Sequence, residues 1–159
     1  MSRYDADRVH RRVDYVQFIY RNMDKYPTAF DWFTFPIAVY DREGKIVGAN
    51  KMFRRLAGIK PEDIQLGAAH FFACLADENA VLLEAARNAF DGKEKVYQGI
   101  GRALRSEPGT TEEYQLNHYP NVIFFPMAVD REGVSQAAVL LDEEKTDNDA
   151  DVRVNQNSA

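Results

Sequence analysis

The segment at residues 35–50 constrains the fold of this chain most. It reads as a strand, a tight glycine turn, a second strand and then Asn50 at the entry to a short helix. Its opening words, Phe-Pro-Ile-Ala-Val-Tyr-Asp-Arg-Glu-Gly, return at residues 125–133 as Phe-Pro-Met-Ala-Val-Asp-Arg-Glu-Gly. Two hairpins of nearly the same wording, one near each end, predict a single antiparallel sheet whose first and last strand pairs enclose a helical middle.

The repeated words carry the chemistry of a tight turn. Asp41 and Asp130 can each accept a hydrogen bond from the backbone two residues on, which opens a turn. Gly44 and Gly133 can adopt the positive φ that closes a short hairpin loop. The repetition has two explanations, a common turn solution that arose twice or an internal repeat, and both predict the same hairpins.

Composition narrows the class of protein. The chain has 159 residues, 45% of them hydrophobic, which suits one packed domain with appendages. A net charge of -5 argues against nucleic acid as a partner. There is no apolar run of about eighteen residues for a membrane span and no apolar stretch of a signal peptide. The single cysteine, Cys74, excludes an internal disulfide, and we expect a cytoplasmic location.

The first thirty residues contain the clearest helical pattern, which we expect to end at residues 26–27. Its apolar stripe recurs at three- and four-residue spacing and comprises Val9, Val13, Val16, Ile19 or Tyr20, and Met23. Residues 123–125 and 137–141 are continuous apolar runs, which are typical of a sheet covered on both faces. The stripe therefore predicts that the N-terminal helix packs on the outer face of the sheet. The same helix in a second subunit is another possible partner, and both contacts can coexist.

The middle of the chain reads as helices followed by strands. Residues 51–57 make a short helix that buries Met52, Phe53 and Leu56 and that Gly58 ends. A longer helix is predicted from an N-cap at Asp77 to Gly92. Its predicted buried face consists of Val81, Leu82, Ala85, Ala86, Ala89 and Phe90. Further strands are predicted at residues 96–104, 113–118, 122–129 and 135–141.

This layout resembles a PAS domain, the small sensory module of signalling proteins. The matching features are the Asp-x-x-Gly turn at Asp41, Asn50 before the first core helix, Leu-Ala-Gly at residues 56–58, the turn at residues 61–67 and the closing hairpin at residues 130–141. The resemblance implies an α+β fold: a five-stranded antiparallel sheet with helices on one face, while the N-terminal helix covers the other. We therefore divide the chain into a helix and connector at residues 1–32, a PAS-like domain at 33–142 and a disordered acidic tail at 143–159. Asn50 would be structural.

The resemblance also implies where a ligand would bind, between the core helices and the inner face of the sheet. The residues expected to contact it are His70, Phe71, Cys74, Tyr97, Tyr114 and Phe124. The neighbours of Cys74 do not match the motif of flavin-binding PAS domains, and Cys74 reads more simply as a small buried residue. His70 is read as a hydrogen-bonded core histidine, although haem ligation by it stays open. The cofactor is left unidentified.

Two functions follow from the resemblance. The first is a stand-alone sensory PAS protein that binds an unidentified small molecule and signals by protein contact. The second is a ligand-free adaptor that acts by dimerisation or docking. No enzymatic motif is found, so we expect no catalysis and no metal. Tyr15, Phe18 and Tyr20 widen the apolar face of the N-terminal helix, which predicts a homodimer through that helix.

Overall fold

The computed structural model describes residues 6–25, 28–75, 80–98, 100, 104 and 119–142. Its α-helices are α1 (Ala6–Arg21), α2 (Lys51–Ala57), α3 (Pro61–Gln65), α4 (Phe71–Cys74) and α5 (Ala80–Arg87), and a 3₁₀ helix spans Ala29–Trp32. Its strands are β1 (Ile37–Asp41), β2 (Ile46–Ala49), β3 (Lys95–Tyr97), β4 (Asn121–Asp130) and β5 (Gly133–Asp142). Among these elements, no helix is long and apolar enough to cross a membrane.

The strands form one sheet in the order β2-β1-β5-β4-β3, and every neighbouring pair is antiparallel. The first strand therefore lies beside the last, with Ile37 opposite Leu140, as the sequence predicted. The strand predicted at residues 96–104 is at the sheet edge and is described only as the three residues of β3. The strand predicted at residues 113–118 lies outside the described residues.

The sheet separates two hydrophobic cores. Along β1, Ala38 and Tyr40 face the core formed with α2, α4 and α5, which we call the inner core. Ile37 and Val39 face the core formed with α1 and the 3₁₀ helix, the outer core. Since side chains alternate along a strand, a strand buried on both sides must be apolar at every position. This explains the continuous apolar runs and confirms that the N-terminal helix covers the outer face.

Helix α1 meets the sheet along its apolar stripe, whose buried residues are Val9, Val13, Val16 and Ile19. Polar contacts fix its position on the strands: Arg12 Nη1 donates to Asp142 Oδ1 at 2.5 Å, and Gln17 Nε2 donates to the Pro126 carbonyl at 2.7 Å. The prediction that this helix continues to residues 26–27 was wrong, because α1 ends at Arg21. The side-chain Nδ2 of Asn22 donates to the carbonyl of Phe18 at 2.8 Å, and the backbone N–H of Asn22 donates instead to the carbonyl of Ile19 at 3.1 Å. The side chain thus takes the carbonyl that the next helical N–H would use.

Helix α5 also differs from its prediction. It ends at Arg87 rather than at Gly92, and Val81 is 64% exposed rather than buried. The buried positions, Leu82, Ala85 and Ala86, lie three and four residues apart on one face, and Val81 falls outside that stripe. The predicted cap, Asp77, lies outside the described residues. Met52 in α2, predicted to be buried, is half-buried.

The two hairpin turns form as their sequence predicts. Asp41 and Asp130 each accept a hydrogen bond from the backbone N–H two residues on, at 3.0 and 2.8 Å. Gly44 and Gly133 have φ of +88° and +113°. The two turns lie at the same end of the sheet, where Arg42 donates to both carboxylate oxygens of Asp130 at 3.0 and 3.2 Å.

Candidate functional site

The inner core is organised around Tyr40, which is fully buried. Its ring stacks on Phe71 with centroids 4.5 Å apart and meets Phe72 and Phe90 edge-on at 6.0 and 5.7 Å. Its hydroxyl donates to the carbonyl of Ala86 in α5 at 2.8 Å. Burial raises the pKa of Tyr40 above its usual value, so the phenol stays neutral and acts as a donor. Tyr40 therefore joins the sheet to two helices.

Three of the predicted ligand contacts continue this aromatic cluster across the sheet. Phe71 from α4 and Phe124 from β4 are fully buried, with ring centroids 6.4 Å apart. Tyr97 from β3 is half-buried and meets Phe124 edge-on at 5.9 Å. The structure thus brings Phe71, Phe124 and Tyr97 into one continuous aromatic cluster between sheet and helices.

The other predicted contacts lie elsewhere. His70 is exposed, so the interpretation of it as a buried core histidine was wrong. It precedes α4 and pairs as a β-bridge with Lys45, which holds its backbone at the outside of the domain. Cys74 is half-buried and its thiol donates to the His70 carbonyl at 3.3 Å, so it is not the fully buried residue that we expected. Tyr114 lies outside the described residues.

The first hairpin turn positions the segment that carries Phe71. The N–H of Phe71 donates to the carbonyl of Gly44 at 2.7 Å, and the N–H of Ile46 donates to the carbonyl of Ala69 at 2.9 Å. The ring of Phe72 packs directly on Gly44, where an added Cβ would lie 2.6 Å from two ring carbons. Gly44 is therefore required twice, for its positive φ and for this close approach.

The side chains of the inner core are mostly apolar. Aromatic rings dominate, and Tyr40 supplies a neutral hydroxyl whose hydrogen is already donated to Ala86. In the described part of the chain, no three His, Cys, Asp or Glu side chains lie together as a metal site. Such a surface suits an apolar, planar ligand held by few polar contacts.

Helix α1 presents a second candidate surface on the side away from the sheet. Tyr15 and Phe18 are 59% and 56% exposed, and they lie one turn apart. Tyr15 also meets Phe33 edge-on at 5.6 Å, next to Trp32, which is 71% exposed. We call Tyr15, Phe18 and Trp32 the α1 aromatic surface. Tyr20, which we had counted with this face, is instead half-buried.

Sequence reasoning missed the central role of Tyr40. The signal was available, because Tyr40 and Ala38 alternate with Ile37 and Val39 along β1. The alternation shows which residues share a face, but only the packed helices reveal that α5 presents the carbonyl of Ala86 to the phenol.

The PAS domain family matches residues 24–88 of this chain. The match contains the first hairpin, Asn50 and helices α2 to α5. No curated protein sequence matches the chain. The family match confirms the resemblance to PAS domains that residues 35–50 and the features after them predicted.

Solved structures extend the likeness to most of the chain. The PAS domain of an HTR-like protein from Haloarcula marismortui has a TM-score of 0.50 and 13% identity, covering 84% of this chain and 96% of that one. A LOV protein from Rhodobacter sphaeroides has a TM-score of 0.50 and 21% identity, with 82% and 71% covered. A sensory box sensor histidine kinase from Vibrio cholerae has a TM-score of 0.50 and 11% identity, with 80% and 94% covered. At these identities the likeness concerns the fold.

Proposed function

We propose that this protein is a sensory or regulatory protein rather than an enzyme. The chain has the PAS fold and matches the PAS family over residues 24–88. It binds a small molecule between the core helices and the inner face of the sheet, and it signals by contact with another protein chain. The observation that carries this proposal is the PAS sheet with two separately covered faces, one lined by aromatic rings and the other by a helix with an exposed aromatic surface.

The proposed ligand site includes His70, Phe71, Cys74, Tyr97, Tyr114 and Phe124. Its best support is the contact of Phe71, Phe124 and Tyr97, which form a continuous apolar wall. Apolar walls with a few polar anchors are the usual composition of small-molecule sites. His70, which precedes α4, is exposed, and Cys74, which ends it, is half-buried, so these two would contact a ligand only where it reaches the ends of α4.

A second candidate function is a ligand-free adaptor, and the packing of Tyr40 favours it. The stacked contact with Phe71 at 4.5 Å leaves no room for a ligand between those two rings, and the bond to Ala86 satisfies the hydroxyl. A ligand would have to lie beside this cluster, toward Phe124 and Tyr97.

Native mass spectrometry of the purified protein tests the ligand directly. We expect a native mass above the denatured mass by the mass of a bound molecule, and a smaller bound fraction in Tyr97→Ala. The matched variant Tyr15→Ala, exposed on α1, should retain the molecule. Equal native and denatured masses would contradict the sensory proposal and favour the adaptor.

The proposed protein contact is a homodimer through the α1 aromatic surface. The apolar stripe of α1 is used on its own sheet, so the exposed residues Tyr15 and Phe18, with Trp32, supply the contact. A large aromatic side chain buries about 150–250 Å². Since more than half of the surface of each residue is exposed, the three offer on the order of 300–400 Å² of mostly apolar area per subunit. A stable interface buries about 800 Å² per partner around such a centre, so this surface has the size of an interface core.

A further inference from the structure

An open groove runs along the outer edge of β2, outside the inner core. It has a volume of about 500 Å³ and lies between the end of α1, the 3₁₀ helix and helix α3. Its walls include Tyr20, Phe30, Val47 and Ile64, and its polar lining includes Arg54 and Gln65. None of these residues belongs to the proposed inner ligand site. Small-molecule sites commonly have volumes of about 300–1,000 Å³ and mostly apolar walls.

The floor of this β2 groove is formed by Gly48 and the ring of Tyr20, which pack closely together. Gly48 of β2 has no side chain, and the ring of Tyr20 lies 3.4 Å from the position that a Cβ would occupy. The hydroxyl of Tyr20 donates to Gln136 Oε1 at 3.0 Å, which fixes the ring across the strand. The apolar wall is therefore formed before any ligand binds.

An added β-strand does not suit this groove, although β2 is an edge strand. The carbonyl of Ala49 accepts a bond from Arg54 Nη1 at 2.7 Å. The N–H of Ile46 donates to the carbonyl of Ala69 at 2.9 Å. Both ends of the strand edge are thus occupied, and strand addition requires free backbone groups.

Arg54 gives the groove its charge preference. Its side chain is only 21% exposed, and its Nη1 contacts both the Ala49 carbonyl, at 2.7 Å, and Asp31 Oδ1, at 3.5 Å. That Asp31 oxygen already accepts a bond from the Lys51 N–H at 2.7 Å. Nε and Nη2 form no bond with the described residues, and no carboxylate is among those that line the groove. A guanidinium with two donors left on one edge favours a carboxylate.

We propose that the β2 groove binds a small amphipathic carboxylate, with its apolar part along Tyr20, Phe30 and Ile64 and its carboxylate on Arg54. Such a ligand would contact α1 and α3 together, and would hold the N-terminal helix to the domain. This site does not depend on whether a molecule occupies the inner core.

The test uses decanoate and the uncharged decanol as probes of the full chain, followed by amide NMR. Decanoate should shift the amides of Val47 and Gly48 and should bind at least tenfold more tightly than decanol. The variant Arg54→Gln should lose this preference and bind decanoate at least tenfold more weakly. The matched variant Arg55→Gln removes the same charge from an exposed neighbour and should bind like the wild type.

Three results would overturn the proposal, and none of them needs a variant. Decanoate and decanol could bind equally, which would deny a role for the charge. Decanoate could shift Tyr97 and Phe124 instead, which would place it in the inner core and support the sensory proposal alone. Dilution of the free protein could shift Val47 and Gly48, which would show that a second copy covers the groove.

Discussion

The side chain of Asn50 makes three hydrogen bonds that no other residue type can reproduce together. Asn50 is fully buried; its Oδ1 accepts from the N–H groups of Ile37 and Phe53, both at 3.0 Å, and its Nδ2 donates to the carbonyl of Phe35 at 2.8 Å. The bond to Phe53 caps α2, and the other two join that cap to the start of β1. The substitution Asn50→Ala removes all three at once.

The expected loss follows from the groups left behind. Losing an Asn cap costs about 0.5–2 kcal/mol. A buried backbone group left without a partner costs about 1–3 kcal/mol, and Asn50→Ala leaves the Ile37 N–H and the Phe35 carbonyl in that state. Allowing for some relaxation toward water, we expect unfolding free energy to fall by about 3–5 kcal/mol. That is a large share of the 5–15 kcal/mol typical of a domain.

Urea unfolding followed by far-ultraviolet circular dichroism measures this loss. The matched control is Asn88→Ala, because Asn88 is exposed after α5 and an exposed substitution changes stability by less than about 0.5 kcal/mol. The variant Asn50→Asp keeps the acceptor oxygen but loses the donor to the Phe35 carbonyl. Its urea midpoint should lie between those of Asn50→Ala and Asn88→Ala. Equal midpoints for Asn50→Ala and Asn88→Ala would refute the reasoning.

Two further predictions concern the turns and pH. Gly44→Ala should destabilise the protein by about 2–3 kcal/mol more than Gly133→Ala in thermal unfolding, because both have positive φ but only Gly44 has a ring, that of Phe72, within 2.6 Å; equal losses would contradict the contact. The bond to Glu94 raises the pKa of His10 above 6.5. Its stabilising effect is therefore fully present below pH 6.5 and is lost as pH rises through the higher folded pKa. His10→Gln should lower stability at pH 6 but not at pH 9, and an equal loss at both would contradict the assignment.

The sheet was predictable because its information is local. Asp41 and Gly44 define a turn that needs no distant partner, and the runs at residues 123–125 and 137–141 require cover on both faces whatever supplies it. The end of α1 was not predictable by the same reasoning, since it depends on the hydrogen bond from the Asn22 side chain to the Phe18 carbonyl. Likewise, apolar periodicity cannot show that Val81 lies just outside the buried face of α5.

The candidate site was predictable only in part. Phe71 and Phe124 lie in the inner core, between the sheet and the helices, while their contact with a ligand stays a prediction. The position of His70 depends instead on its bridge to Lys45, a contact between segments far apart in sequence. The place of Arg54 in the lining of the β2 groove depends on the position of α1 relative to β2, which the sequence does not encode locally.

Val16 is fully buried between α1 and its own sheet, so Val16→Asp would unfold the subunit rather than separate two subunits. Phe18 is 56% exposed and does not belong to the outer core. A substitution of Phe18 therefore tests the proposed dimer without disrupting the packing of α1 on its own sheet.

Multi-angle light scattering of the intact protein tests the proposed protein contact most directly. At micromolar concentration we expect a mass near twice the 18.2 kDa of one chain, and Phe18→Glu should give a folded monomer. The matched variant Val129→Glu changes another apolar residue, which is 70% exposed near the end of β4, and this variant should remain a dimer. A monomeric mass for the wild type, or a dimeric mass for Phe18→Glu, would contradict signalling through a dimer formed by the α1 aromatic surface.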